Sequence, residues 1–342
     1  MDKPTVICIT PIRNEAWILD RFLQCASLWA DHILLLDQMS TDESPNIVSR
    51  YPKAKLLHYP TSSFDEVERR SLLLEEARLI LGPRLIISLD ADEALTANFM
   101  TSPEWQTVLN APIGSVISFQ WVNLLNDMEN YYMFSQFHWT SNYDYCWGFM
   151  DDGSNYASSL IHGPRIPIPP TAPIIMLRDI KVLHYQFTEW ERQESKVRWY
   201  QCWERLNQPQ RTPIEVYRYY HRPHIVLPEQ THPIPDHWLR GYRDQGIDMT
   251  SIYKPPGRPW WDWQVLDMID KYGPDQFRRE DIWRVDWTAV YRERYGEDPV
   301  KSLADPRNRF DRFIHRWLQK TQLYDHKRPI RILEWLLGRL GW

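Results

Sequence analysis

An apolar run that empties into acids, Leu85–Glu93 (LIISLDADE), is the part of this sequence best suited to chemistry. Successive strand residues point to opposite faces, so Asp90 and Asp92 share a side only where the strand gives way to a turn. Two hard carboxylate oxygens presented there suit Mg²⁺ or Mn²⁺ already bound to a diphosphate, because such ions prefer oxygen ligands and leave positions open for phosphate. A D-x-D met in isolation is a solvated turn. Two other polar strand ends upstream favour a site instead: Pro11-Ile12-Arg13-Asn14-Glu15 follows the run TVICIT, and Asp37 closes the run HILLLD.

These residues need a scaffold that brings separate strand ends to one rim. Residues 5–10, 32–37, 55–59 and 85–90 read as short apolar strands, and between them lie stretches with helical spacing: Ile18, Phe22, Ala26 and Trp29, then Val67, Leu74, Ala77 and Leu81. Strands separated by helices imply right-handed crossovers and a mostly parallel, Rossmann-like sheet flanked by helices, with ligands at the carboxyl ends of the strands. Further strands are expected over 115–124 and 174–185, and a helix closing the domain over 189–207. Prolines break up 208–236, which reads as ordered loop, and mainly helical patterns follow over 263–272 and 308–322. The expected division is therefore a catalytic domain at 1–208, with a donor-binding half at 1–100 and an acceptor and metal half at 101–208. A Pro- and Trp-rich, mainly helical region follows at 209–342.

In these motifs the first hundred residues resemble the donor-binding half of family 2 glycosyltransferases, which have the GT-A fold. A strand followed by Pro11, Arg13, Asn14 and Glu15, then Asp37, Ser40 and Asp42 in a D-x-x-S-x-D pattern, then Arg70 or Arg69 on a helix, then the D-x-D, stand in the family's order. The resemblance implies that Pro11, Glu15 and Asp37 line the nucleoside pocket, that Arg13 and Asn14 belong to the same donor-binding set, and that Arg70 faces the diphosphate. Asp90 and Ala91 would lie against the donor, with Asp92 as metal ligand, Asp90 supporting it, and His184 in Val182-Leu183-His184-Tyr185 supplying a further ligand. An acceptor-activating carboxylate is expected at Asp152 or Asp151, with Asp144 a weaker third and His162 and Arg165 flanking the cleft. The bland alternatives are helix capping for Asn14 and Asp42 and a surface ion pair with a nearby Glu for Arg70.

Composition narrows the partners. A formal net charge of -5, from 40 Lys and Arg against 45 Asp and Glu, argues against a broad grip on nucleic acid. The four cysteines are scattered, with no C-x-x-C pair, which suits a reducing cytoplasm. No apolar run approaches the roughly 20 residues that span a bilayer. The tail, with Ile332, Trp335 and Leu336 beside Arg331 and Arg339, reads first as a helix capping the protein's own core. Peripheral contact with the inner face of a membrane through 327–342 is the alternative. Aromatic residues make up 14% of the chain, which suits core packing more than sugar binding. The expected function is a metal-dependent (Mn²⁺ or Mg²⁺) inverting transfer of a sugar from a UDP- or GDP-sugar to a hydroxyl of a saccharide or lipid-linked acceptor. The rivals are a nucleotidyltransferase making a nucleotide sugar, disfavoured by the absence of Gly from Pro11–Glu15, and a non-catalytic carbohydrate-binding protein on the same fold.

Overall fold

The computed structural model describes residues 3–61, 65–133, 146–156, 164–221 and 228–342. Ten strands are seen among them: β1 (Thr5–Ile12), β2 (His32–Asp37), β3 (Ala54–His58), β4 (Arg84–Ser88), β5 (Glu93–Leu95), β6 (Val116–Leu124), β7 (Asn130–Tyr132), β8 (Cys146–Met150), β9 (Ile174–His184) and β10 (Thr231–Pro233). The helices are α1 (Leu19–Ala26), α2 (Ser44–Val48), α3 (Glu66–Arg78), α4 (Pro103–Leu109), α5 (Trp190–Asn207), α6 (Pro213–His221), α7 (Arg240–Asp244), α8 (Trp260–Tyr272), α9 (Trp287–Tyr295), α10 (Arg309–Thr321) and α11 (Arg328–Gly338). The result is a mixed α/β core followed by a largely helical C-terminal region.

The chain divides into two compact units, residues 1–189 with 229–255, and residues 190–228 with 256–342. This differs from a break at 208/209. The expected closing helix exists as α5 but belongs to the second unit, where its Arg198 donates from Nε to Asp262 Oδ1 of α8 at 2.9 Å. The proline-rich stretch is not all loop either. Helix α6 starts at Pro213, at the first helical position where a missing N–H costs nothing, and Pro233 lies in β10, which among the described residues pairs with β7 alone.

In the first unit the sheet order is β10-β7-β6-β8-β4-β1-β2-β3, with β9 beside β6 and β5 beside β9. β1, β2, β3 and β4 are parallel, as expected. Beyond β4 the sheet is mixed: β8 runs antiparallel to both β4 and β6, while β9 runs parallel to β6. The mostly parallel sheet thus holds for the first four strands only. β7 and β8 each pair antiparallel with β6, and the short 125–129 connection from β6 to β7 permits such antiparallel neighbours. Because β8 reverses direction once, β6 and β9 point the same way as β4, and the carboxyl ends of β1, β2, β4, β6 and β9 share one rim.

Both faces of this sheet are buried, which explains its continuous apolar strands. Alternate residues of β1 serve different layers: Val6 and Cys8 pack with Leu19, Phe22 and Leu23 of α1, while Ile7 and Ile9 pack with Leu73, Leu74 and Ala77 of α3. Ile7 and Ile9 are fully buried, each contributing on the order of 1.5–3 kcal/mol. α3 is held at its start by Asp65, whose carboxylate accepts from the Glu68 N–H at 2.9 Å.

Candidate functional site

The loops after β1 and β2 are tied together by side chains. Ser40 Oγ accepts from Asn14 N–H at 2.8 Å, Asn14 Oδ1 accepts from Thr41 N–H at 2.7 Å, and Asp42 accepts from the N–H groups of Ala16 and Ser44 at 3.0 Å each. Asn14 adopts a left-handed backbone (φ 54°), a conformation its short polar side chain tolerates. Asn14 and Asp42 are therefore loop clamps, not helix caps. The clamp leaves Pro11, Arg13, Glu15 and Asp37 around one stretch of rim. Asp37 is 5% exposed and both its oxygens accept from Ser40 N–H. Burial, then the neighbouring Arg69, lower the proton affinity of Arg13, and Asp37 opposes them. Glu15 accepts from the Trp17 indole at 2.8 Å.

Of the two arginines on α3, Arg69 reaches this rim, donating to Gln38 Oε1 at 3.1 Å. Arg70 is buried, pairs with Glu66 at 3.4 Å one helical turn back, and donates to the Pro164 carbonyl at 3.3 Å. The ion pair anticipated for Arg70 is present but lies inside the fold, where Arg70 anchors the segment that carries Arg165.

At the end of β4 the chain turns. Glu93 N–H donates to Asp90 O at 3.0 Å, Asp90 N–H donates to Glu93 Oε2 at 2.9 Å, and Ala91 is buried. β5 then pairs with β9 so that Glu93 faces His184, and β6 pairs with β9 so that Asn123 faces His184 from the other side. Tyr185 N–H donates to Asp92 O at 2.8 Å, locking the D-x-D turn to the end of β9. Register alone thus brings together residues 90–93, 123 and 184.

His184 is 2% exposed, its Nε2 lies 3.6 Å from Asp92 Oδ2, and its Nδ1 lies 2.9 Å from Asn123 Oδ1. With the amide oxygen as acceptor, Nδ1 carries the proton and the Nε2 lone pair faces Asp92. Trp121 stacks on the imidazole with centroids 4.3 Å apart. The Nε2–Oδ2 separation exceeds a hydrogen bond and suits two donors that each approach one divalent ion to about 2.1 Å. Asp92 and His184 are thus the two residues here that could contribute donors to a divalent ion. Among the described residues, no group of three or more His, Cys, Asp or Glu is placed to hold an ion by itself.

Arg165 lies on the same rim, 2.9 Å from Asp90 Oδ2 and in direct contact with Glu93 Oε2, its guanidinium over the rings of Trp121 and Trp147. Its backbone is pinned by Tyr156, whose hydroxyl donates to Arg165 O at 3.1 Å. Glu93 is fully enclosed; burial raises its pKa, with Arg165 opposing.

Asp151 and Asp152 require correction as candidate bases. β8 descends from the rim, so both follow its far end, beside Leu85 at the start of β4 and five residues from Asp90. Asp151 is enclosed between Arg78 (2.8 Å) and Arg84 (2.9 Å). Burial alone would raise its pKa, yet hydrogen bonds from Arg78, Gly153 N–H and Arg84 outweigh it and hold the carboxyl below the usual range. Asp152 accepts from Ser154 N–H at 2.9 Å and abuts Gly114. Both are bracing groups at the opposite edge. Asp144 and His162 lie outside the described residues.

Asn123 and Glu93 join the site without having been expected there, and of the two arginines that fit the motif order it is Arg69 that stands on the rim. A polar residue ending the apolar strand 115–124 was the available signal for Asn123.

No protein-family profile matches this chain, and no curated protein matches it. Among solved structures 74 chains match. One is a crystal structure of 4-diphosphocytidyl-2C-methyl-D-erythritol synthase, 12% identical, covering 44% of this chain and 74% of that chain, with a TM-score of 0.26. A likeness of that extent bears on neither the site nor the reaction.

Proposed function

We propose that this protein is a metal-dependent glycosyltransferase that moves a sugar from a nucleoside diphosphate sugar to a hydroxyl of a saccharide or lipid-linked acceptor. The observation that supports it is the facing pair Asp92 and His184, oriented by Asn123, on the same rim as the clamped Arg13 and Asp37 loops. In this reading Asp37 accepts hydrogen bonds from the nucleoside, and Asp92 with His184 holds Mn²⁺ or Mg²⁺ against the diphosphate. The ion, when bound, supplies positive charge to the diphosphate as it leaves. Arg165, held at Asp90 by Tyr156, keeps a fixed guanidinium beside the reacting region with no reorganisation needed. Trp121 and Trp147 wall this part of the rim, with the Arg165 guanidinium over both rings. An inverting course then needs a proton acceptor other than Asp151 or Asp152.

A panel of UDP- and GDP-sugars with Mn²⁺ and candidate saccharide acceptors tests the reading. Release of free nucleoside diphosphate, absent in Asp92→Ala, is the expected result. Pyrophosphate released from a nucleoside triphosphate and a sugar phosphate would replace it with nucleotidyl transfer, and sugar binding with no turnover would replace it with a non-catalytic role.

A further inference from the structure

The last helices of the second unit leave an unusual surface. α11 seals its inner side with Leu337, which joins Trp342, Ile314 and Leu318 in one buried cluster. Its outer side carries Ile332 (53% exposed), Trp335 (58%) and Leu336 (48%). At 100° per residue these three share a face with Arg328, Arg331 and Arg339, and the Arg339 guanidinium sits 4.4 Å from the Trp335 ring centroid. The one acid of the helix, Glu334, is turned inward and accepts from Arg218 Nε at 2.8 Å. Residues 309–342 carry eight Lys and Arg against three Asp and Glu, in a chain whose net charge is -5. The helix expected to cap the core therefore buries one narrow edge and presents a mixed apolar and cationic face outward.

We infer that this face docks on the anionic surface of a lipid bilayer, with α11 lying in the plane of the interface. Apolar side chains interleaved with arginines on one helix face match that environment: Ile332, Trp335 and Leu336 enter the headgroup boundary while the arginine stems extend back to lipid phosphates. A second copy of the chain fits less well, because a two-fold interface would set the three arginines of one helix against those of the other. Spanning is not involved, since no described helix is long and apolar enough to cross a membrane. The inference goes beyond the proposed chemistry and holds whatever that rim transfers.

Sedimentation of the full chain with phosphatidylcholine vesicles, with and without phosphatidylglycerol, tests it. Binding should require the anionic lipid and weaken with salt. Arg331→Gln should weaken it by about fivefold and Trp335→Ala by about tenfold, while Leu81→Ser, at an exposed apolar position of the first unit, leaves it unchanged. Both α11 positions are exposed, and circular dichroism is the check that the variants fold. The inference is overturned by failure to bind anionic vesicles, by equal binding to neutral ones, or by undiminished binding of both α11 variants. It is overturned equally by concentration-dependent self-association that the same substitutions abolish.

Discussion

A histidine holds a cation only through a ring nitrogen that carries no proton, and at His184 that condition rests on Asn123. With the amide oxygen, 2.9 Å from Nδ1, as acceptor, the proton sits on Nδ1 and Nε2 is left toward Asp92. Removing the amide should leave both ligands in place but free the ring to rotate and change tautomer. Asn123→Ala is therefore expected to weaken Mn²⁺-dependent nucleoside diphosphate binding by about 10–100-fold while metal-free binding stays near its original value. Calorimetric titration with and without chelator checks this, and an unchanged metal dependence would remove His184 from the ligand set. At this scale the sequence carries a local signal for the residues proposed to bind the donor: Asp37 ends an apolar run, and Asp90 and Asp92 follow directly on another. Asn123 and Arg165 were harder to read because their roles depend on which strands become neighbours, and pairing between strands distant in sequence leaves no local pattern.

Strand direction separates the rim from the opposite edge, and β8 shows why this matters for function. Its sequence, Cys146–Met150, reads equally well in either direction, and the acids after it resemble a rim loop until the antiparallel register with β4 is known. With Asp151 between Arg78 and Arg84, its loss should be structural: the pKa lies below the ordinary value, so its stabilisation is present above that value and lost as pH falls through the folded one. Asp151→Asn is expected to lower stability by about 2–3 kcal/mol near neutral pH, measured by urea unfolding, with nucleotide affinity and turnover of the folded fraction unchanged. Loss of turnover alone would restore it as a catalytic candidate. In the second unit Glu280 carries the opposite sign. Burial lifts its pKa from 4.5 to about 7, with Arg205 opposing, so stability from the neutral acid is complete below about 4.5 and lost as pH rises through about 7. Glu280→Gln should keep an acceptor for Arg205 and remove that loss. The variant should gain on the order of 3 kcal/mol over wild type between about pH 5 and about pH 8, measured by the same unfolding method. A pH-independent difference would mean that Glu280 does not titrate in this range.

At the scale of the whole molecule, two units with separate buried clusters share one chain that leaves the first unit at 189, returns to it at 229 and leaves again at 255. The α/β character of the first unit was legible because its strands and helices alternate over a hundred residues. The return was not, since proline-rich sequence signals only that helices are interrupted and not where the chain goes next. Every residue proposed to hold nucleotide or metal lies in the first unit, whereas the second consists of helices braced by buried ion pairs such as Arg198 with Asp262. A ligand that binds only the native form of one unit stabilises that unit by an amount fixed by its concentration relative to Kd, about 2.7 kcal/mol at a hundredfold excess. Hydrogen exchange read by mass spectrometry should thus show slower exchange in β1, β2, β4 and β9 when nucleoside diphosphate and Mn²⁺ are added together. The peptides of 229–255 should slow with them, because Tyr242 donates to Leu95 O at 2.8 Å and Arg21 donates to Asp248 O at 2.8 Å within the same unit. α10 and α11 should exchange at their original rates. Equal protection of α10 and α11 would mean that the units open as one cooperative body, and protection of α10 and α11 without β1, β2 and β4 would move the nucleotide site out of the rim altogether.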